Sequence, residues 1–162
     1  MGKKTYKVKL DLNSNLGKLV ILESLIEISR KQRLNPRLKA KYVDQRKSGE
    51  HFSDAASFQR MGYGDCGMAV VWGGAILREK GREVYPVLER RRLNPGRKGA
   101  YRLHTVLYEP GKGVVIDPTF QVFPKYVGRE PIIRQLTRSQ QVALDKQICK
   151  LHGKCTLIAR LA

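Results

Sequence analysis

Apolar and polar residues alternate from Thr5 to Leu12, and this spacing predicts a half-buried strand. The apolar spacing then becomes helical, and a helix is predicted from Leu16 to about Arg33. Two shorter helices are expected over Pro36–Arg46 and Ala55–Arg60, with a polar loop, Lys47–Asp54, between them. The first part of the chain is therefore predicted to be one strand followed mainly by helices.

A glycine-rich turn leads into an apolar segment that is predicted to be the central helix, from Cys66 to about Lys80. Gly81 follows it, and glycine is the usual residue just beyond a helix end. Gly73 and Gly74 lie inside this helix, where each costs roughly 0.5–1 kcal/mol relative to alanine. Two adjacent glycines in a buried helix indicate that another backbone packs closely against that face.

Short strands are predicted after the central helix. One covers Glu83–Leu88, and Tyr101–Tyr108 and Gly113–Asp117 flank a Pro-Gly-Lys-Gly turn as the two strands of a hairpin. A basic loop is expected over Arg90–Gly99, and Phe120–Val127 is a further candidate strand.

The carboxy-terminal part contains Thr137-Arg138-Ser139-Gln140, a capping-box pattern that predicts a helix to about Leu151 or His152, with Gly153 behind it. A last short strand is expected over Thr156–Leu161. Because most strands follow the central helix, we predict an α+β fold in which this helix packs on an antiparallel β-sheet. No repeat or long linker divides the 162 residues, so a single domain over residues 1–162 is expected.

The charge of the chain adds an expectation about partners. Thirty-two Lys and Arg residues against fourteen Asp and Glu residues give a net charge of +18, which attracts nucleic acid, anionic membranes and acidic proteins. These residues are spread along the chain with few aromatic residues between them, so a basic solvated surface explains them at least as well as nucleic-acid binding. No apolar run could span a bilayer and no signal-peptide core follows the first residues, so a cytoplasmic protein is expected. Delivery as an effector or a virion component stays open.

The cysteines indicate free thiols. Cys66, Cys149 and Cys155 are an odd number in a long chain, which favours a reducing compartment over a disulfide framework. A Cys-x2-His-x2-Cys pattern, formed by Cys149, His152 and Cys155, offers three metal-ligand residue types close together. Structural zinc takes four ligands, however, and no obvious fourth is present. We therefore expect no metal or other cofactor, and we interpret Cys149 as a core residue.

Cys66 has the position of a nucleophile. A helix N-terminus and an adjacent imidazolium lower the pKa of a thiol by roughly 1–5 units from about 8.5. The backbone N–H groups of the first turn, including that of Gly67, are candidates for an oxyanion hole.

The predicted hairpin supplies a base and an orienting acid. If Gly111 and Lys112 form its tip, Asp117 lies opposite Val106 and His104 is the diagonal neighbour of Asp117 on the same face. Diagonal neighbours lie roughly 7–8 Å apart at Cα, within reach of a histidine–carboxylate hydrogen bond. Taken singly, each residue also has an ordinary explanation as a core cysteine, a strand histidine or a turn aspartate. The joint pattern favours a Cys-His-Asp site.

The same three segments resemble a known family. Tyr63-Gly64-Asp65-Cys66 with its apolar helix is similar to the nucleophile segment of transglutaminase-like proteins in the papain-like superfamily. The segments His104–Tyr108 and Val115–Thr119 resemble that family's histidine and aspartate strands. The resemblance implies a papain-like α+β fold and acyl transfer through a thioester. Members of this family include transglutaminases, cysteine peptidases, glutamine deamidases and peptide N-glycanases. The triad does not distinguish these activities from one another.

The sequence departs from the family at two places. Gly67 stands where transglutaminases proper usually carry an aromatic residue. The resemblance makes Gln59 an oxyanion candidate in the manner of the papain glutamine, but Gln59 lies seven residues before Cys66, one more than in the papain pattern. No calcium site is evident, so calcium-dependent cross-linking is not expected. We predict a cysteine peptidase or amidase-type hydrolase, or an acyltransferase, that acts on a peptide or side-chain amide. The alternative is a non-catalytic basic protein of the same fold that docks on nucleic acid or an acidic protein.

Overall fold

A computed structural model describes residues 14–44, 52–92 and 101–161. Five helices and six strands lie within these residues. In chain order they are α1 (Asn15–Ser29), β1 (Lys41–Tyr42), α2 (Ala55–Met61), β2 (Tyr63–Gly64), α3 (Cys66–Glu79), β3 (Tyr85–Arg92), β4 (Tyr101–Glu109), β5 (Val114–Ile116), α4 (Thr119–Val122), β6 (Ile133–Gln135) and α5 (Arg138–Leu161). The strand predicted over Thr5–Leu12 lies outside the described residues, as does most of the polar loop Lys47–Asp54.

The main sheet has four antiparallel strands in the order β3-β4-β5-β6, and β1 and β2 form a separate parallel pair. Because neighbouring residues of a strand point to opposite faces, the sheet has two apolar faces. One face carries Leu107 and Ile116 and packs with the apolar residues of α1 and α3, while Val106 and Val115 pack with Leu144 of α5. The sheet therefore lies between helices, and the predicted α+β class is confirmed.

The central helix was predicted with nearly correct bounds. Helix α3 begins at Cys66, and most of its residues are buried. It ends at Glu79, two residues before Gly81, whose φ of +83° is in the left-handed region that favours glycine. This helix is the core element around which the sheet and the other helices pack.

Gly73 and Gly74 explain how closely α3 approaches its neighbours. A Cβ at Gly73 would lie 2.9 Å from Cγ of Pro118, and a Cβ at Gly74 would lie 2.9 Å from Cδ1 of Ile26 and 3.3 Å from Cδ2 of Leu107. The predicted close approach is therefore confirmed, but side chains make it. The expectation of a packed backbone was wrong, because the proline ring and the aliphatic side chains fill the space above the glycines.

The hairpin has the predicted register. Leu107 pairs with Ile116 and Tyr108 pairs with Val115, and this is the pairing that places Asp117 opposite Val106. A four-residue turn joins the strands, and its last residue, Gly113, has a φ of +61°. The turn length was readable because proline and glycine residues mark both of its ends.

The chain after α1 differs from the prediction. Helix α1 starts where expected, with Ser14 as its cap, but it ends at Ser29 and not near Arg33. The helix expected over Pro36–Arg46 is absent from the described part of that segment, which contains β1 instead. Backbone bonds explain the difference, because the N–H of Lys41 donates to the carbonyl of Gly62 at 2.8 Å. This pairing joins residues far apart in sequence, so local spacing does not reveal it.

The segment after the hairpin was also mispredicted. The strand expected over Phe120–Val127 is the short helix α4 followed by turns, because Pro118 starts a helical turn in which its carbonyl accepts the N–H of Val122 at 2.9 Å. Strand β6 was not predicted. Its residues are exposed, with Ile133 at 54%, so no buried apolar pattern marks it.

Helix α5 has the predicted start and a different end. Gln140 accepts the N–H of Thr137 at 3.0 Å and donates its own N–H to Thr137 Oγ1 at 3.3 Å, which confirms the capping box. The helix continues through Gly153 to Leu161, so the strand expected over Thr156–Leu161 was wrong. Strand β3 likewise extends through Arg92 into the segment expected to be a basic loop, and residues 93–100 lie outside the described chain.

A buried arginine joins α1 to the carboxyl end of α3. Arg78 Nη2 lies 2.6 Å from Glu23 Oε2, and Nη1 lies 2.8 Å from Glu27 Oε1. Its Nε donates to the carbonyl of Val84 at 3.0 Å. Burial lowers the pKa of Arg78, but the two carboxylates outweigh it and raise the pKa, so this charge is fully compensated.

Candidate active site

Cys66 is the first residue of α3, and Asp65 caps the helix. Asp65 Oδ1 accepts the N–H of Met68 at 3.3 Å, and its backbone carbonyl accepts the N–H of Ala69 at 3.1 Å. The side chain of Cys66 is buried, with a residue exposure of 7%. The cap therefore sets the residue at which the helix begins, and it places the thiol at the positive end of the helix dipole.

The turn that leads to Cys66 is tight at Gly64. A Cβ there would lie 2.8 Å from Cε2 of Phe58 and 3.1 Å from Cβ of Met68. Distances this short exclude a side chain at position 64 unless its neighbours move. The approach of β2 to α2 and α3 thus fixes the chain just before the nucleophile candidate.

His104 and Asp117 meet where the hairpin strands separate. His104 lies in β4, and Asp117 directly follows β5. Nε2 of His104 lies 2.7 Å from Oδ2 of Asp117, and both residues are buried. The N–H of Thr119 donates to Oδ1 of Asp117 at 3.2 Å, and the N–H of Asp117 donates to the carbonyl of Ile132 at 2.7 Å. The carboxylate is therefore held through both oxygens and orients the imidazole.

The imidazole of His104 and the backbone N–H of Thr105 lie near enough to the sulfur of Cys66 to lower the pKa of the thiol. Because Nε2 of His104 faces Asp117, Nδ1 is the ring nitrogen left for the sulfur. The three residues singled out from the sequence therefore lie together at one site.

Two opposing effects act on the thiol. Burial raises the pKa of Cys66, while the hydrogen bond and the positive charge of His104 lower it and prevail, so that the pKa lies below its ordinary value of 9.0. The charge of Asp65 raises the pKa of Cys66, and the backbone N–H of Thr105 lowers it. The arrangement therefore favours the thiolate, which is the reactive form of cysteine.

The pKa of the His104 imidazole is shifted in the opposite direction to that of the Cys66 thiol. Burial lowers the pKa of His104, but the hydrogen bonds with Asp117 and Cys66 and the charges of both outweigh burial and raise the pKa from 6.5 to about 9. A thiolate–imidazolium pair is thus favoured over a window that ends near pH 9. In this pair the proton of the thiol resides on the ring.

Gln59, the first oxyanion candidate, is engaged elsewhere. Its Oε1 accepts the N–H of Asn35, and its Nε2 donates to the carbonyl of Arg33 at 3.2 Å. The carbonyl of Asn35 in turn accepts Nε1–H of Trp72 at 3.1 Å. The amide of Gln59 therefore joins α2 to the segment after α1, and its oxygen and one of its two N–H groups are already in use.

Gly67, the second oxyanion candidate, lies buried in the first turn of α3. The cap residue takes the N–H groups of Met68 and Ala69, so the first-turn donors without an acceptor among the described residues are those of Cys66 and Gly67. They belong to the residue that carries the thiol and to the one after it.

Two further groups, which the sequence did not indicate, contact the site. Both are backbone N–H groups, that of Thr105 on the sulfur and that of Thr119 on the carboxylate. Every residue but proline carries such a group, so no residue type marks its position. Only the neighbourhood of His104 and Asp117 in sequence could have drawn attention to them.

The second cysteine lies outside this site. Cys149 is exposed on α5, and its interpretation as a core residue was wrong, because the helix turns that side chain away from the sheet. The side chain of Cys155 is not among those described. Within the described residues, no cluster of His, Cys, Asp and Glu has the size of a metal site, and no helix is long and apolar enough to cross a membrane.

Comparison with known proteins finds no relative. The chain matches no family model, no curated protein and no solved structure. The function must therefore be inferred from the geometry and the sequence of this chain.

Proposed function

We propose that this chain is a cysteine-dependent hydrolase or acyltransferase of the transglutaminase-like, papain-like kind. Cys66 is the nucleophile, His104 the general base and acid, and Asp117 the orienting carboxylate. The observation that carries the proposal is that the fold brings the three residues together: His104 lies 2.7 Å from Asp117 and near enough to Cys66 to lower the pKa of its thiol. Nucleophile, base and orienting group within mutual hydrogen-bond reach are the signature of covalent catalysis.

The chemistry follows from the protonation states. The Cys66 thiolate attacks the carbonyl carbon of an amide, and the oxyanion that forms is stabilised by the N–H groups of Cys66 and Gly67. The His104 imidazolium gives its proton to the leaving nitrogen, the C–N bond breaks, and a thioester remains. Water or an amine then attacks the thioester while His104 takes its proton, and the departing thiolate restores the starting pair.

The alternative is a non-catalytic binding protein of the same fold, which the net charge of +18 favours. The two functions differ in what they require of Cys66. A binding protein has no need of a thiolate at neutral pH, whereas the proposed enzyme depends on one.

Alkylation by iodoacetamide as a function of pH tests the proposal. The three cysteines fall on different tryptic peptides, so mass spectrometry follows each thiol in the same sample. We expect the alkylation of Cys66 to have its midpoint below that of an ordinary cysteine thiol, because His104 lowers the pKa of this thiol. The midpoint is the readout, since burial slows the reagent at every pH.

His104→Gln is the matched variant. It removes the hydrogen bond and the charge of His104, the two largest effects that lower the pKa of Cys66, so the midpoint of Cys66 should rise. Equal midpoints for Cys66 in both proteins would refute the proposal. An activated ester such as p-nitrophenyl acetate should also leave an acetyl group on Cys66 that hydroxylamine removes, and His104→Gln should abolish this labelling.

A further inference from the structure

A cleft of about 520 Å³ lies beside the chain segments that carry the proposed site. Three lysines line it together with Tyr42 and small or apolar residues, and none of its described lining residues is acidic; the lysines are Lys39, Lys41 and Lys125. None of the three forms an ion pair within the described parts of the chain, so no carboxylate there neutralises these charges at the cleft. Three like charges around one cleft repel one another, and an anion in the cleft relieves that repulsion.

Both walls of the cleft continue into the catalytic segments. One wall is Gly62, which precedes β2, and Cys66 follows four residues after Gly62. The other wall is Pro124 and Lys125, which follow α4 and thus the Asp117 corner. Four residues of extended chain span at most about 14 Å, so the wall of the cleft at Gly62 lies within that distance of Cys66.

Hydrogen bonds hold the wall of the cleft that carries Lys39. Lys39 Nζ donates to the carbonyl of Gln121 at 2.7 Å, which leaves two of its three protons for a ligand. The N–H of Ala40 donates to the carbonyl of Val122 at 3.1 Å, so β1 is tied to α4 across the cleft. A ligand therefore meets the Lys39 charge in a set position and a backbone wall that is already ordered.

We propose that this cleft binds an acidic side chain of the peptide that Cys66 attacks, so that the substrate is a peptide with Asp or Glu within about four residues of the reacting amide. The proposal rests on the proposed cysteine chemistry and names its substrate class. An extended peptide advances by about 3.3 Å per residue, which converts the distance from cleft to sulfur into this spacing.

A peptide fits the cleft better than a nucleic acid does. Nucleic-acid affinity needs a long track of phosphate contacts and exposed aromatic faces on which bases stack. The aromatic residue here, Tyr42, already makes edge-to-face contacts with Phe123 and Tyr126, each at 5.2 Å between ring centroids. A single cleft with three cations suits one or two carboxylates.

Two alkylating reagents test the charge of the cleft, with Cys66 as reporter. Iodoacetate is anionic and iodoacetamide is neutral, so the ratio of their rates at Cys66 measures the local field. The cleft variant combines Lys39→Gln, Lys41→Gln and Lys125→Gln. The control variant makes the same change at three exposed lysines elsewhere and loses the same charge; these are Lys31, Lys80 and Lys112.

In the cleft variant we expect the iodoacetate-to-iodoacetamide ratio to fall about threefold at an ionic strength of about 10 mM, because three charges act over about 14 Å in water. The control variant should keep the wild-type ratio. About 1 M salt should remove the difference between wild type and cleft variant. An equal fall in both variants would mean that only the total charge matters, and would overturn the proposal.

Protection of Cys66 from iodoacetamide tests the ligand class. An oligoglutamate peptide should protect wild type and the control variant but not the cleft variant, and oligoglutamine should protect none of them. Replacement of the same cleft residues by arginine should retain protection, which separates loss of charge from loss of fold. Protection by oligothymidylate but not by oligoglutamate would replace the peptide by a nucleic acid and refute the proposal. If wild-type Cys66 has the same pH midpoint as His104→Gln, the cysteine chemistry itself fails, whatever the cleft binds.

Discussion

Asp117→Asn removes the charge that His104 faces and keeps nearly the same shape. The carboxylate has two partners, His104 Nε2 at 2.7 Å from Oδ2 and the N–H of Thr119 at 3.2 Å from Oδ1. Asparagine has one oxygen, so it can accept from only one of them, and its NH₂ group then faces the other donor. The substitution therefore weakens the orientation of the imidazole as well as its charge partner.

The expected size of the effect of Asp117→Asn follows from the pKa shift of His104. Burial lowers its pKa, and the bond with Asp117 is the largest of the effects that raise the pKa from 6.5 to about 9. A shift of that size corresponds to roughly 3 kcal/mol between the two protonation states. Loss of the Asp117 charge should lower the pKa of His104 by at least about one unit, or about 1.4 kcal/mol.

NMR titration of the histidine rings measures this directly. The chain has three histidines, so few resonances need assignment, and His104→Gln identifies the signal. A midpoint of His104 near 6.5 in the wild type, or the same midpoint in both proteins, would show that Asp117 does not hold the imidazolium.

The raised pKa of His104 also predicts how the stability of the protein changes with pH. The raised pKa of His104 means that the folded protein binds a proton which the unfolded chain has released. Its contribution is complete below pH 6.5 and is lost as pH rises through about 9. The advantage of wild type over Asp117→Asn in urea denaturation should therefore be larger near pH 6.5 than above pH 9. A difference that grows with pH would contradict this assignment.

Three further substitutions test the packing around the site. Gly73→Ala should destabilise the protein by roughly 1–3 kcal/mol in urea denaturation and slow alkylation of Cys66, because its Cβ would lie 2.9 Å from the ring of Pro118. Gly111→Ala, with open space at its Cβ, is the control and should change neither quantity. Arg78→Met leaves two carboxylates without their buried partner and should cost roughly 3–5 kcal/mol, and a cost below 1 kcal/mol would contradict that account. Gly153→Ala should stabilise the protein by about 0.5–1 kcal/mol, since α5 passes through this position, and a loss of stability would indicate that the helix stops there.

Local signals predicted the elements that carry the site. The start of α3 is encoded by a cap residue, its end by Gly81, and the register of the hairpin by the turn between its strands. Each of these depends on residues within a few positions of one another, so spacing and residue type suffice to identify it. The pairing of His104 with Asp117 follows from that register, because diagonal neighbours on one face lie within side-chain reach.

Elements that depend on distant partners were not predictable in this way. Strand β1 exists because it pairs with β2, and β6 exists because it pairs with β5, yet neither has a buried alternating pattern of its own. Helix α5 continues through Gly153 although that residue type usually ends helices. In each case contacts elsewhere outweigh a local preference of about 1 kcal/mol or less.

The sequence by itself determined the cysteine at a helix start and a hairpin that brings a histidine to an aspartate. Only the tertiary structure decided that the thiol reaches the imidazole, since this contact depends on how α3 packs against β4. Gly73 and Gly74 allow that approach, because Pro118 and Leu107 occupy the space that larger residues would fill. The lysine cleft is likewise a product of the fold, since Lys125 joins Lys39 and Lys41 only when α4 packs on β1. Sequence spacing describes neighbours along one element, and a site built between elements depends on the packing that joins them.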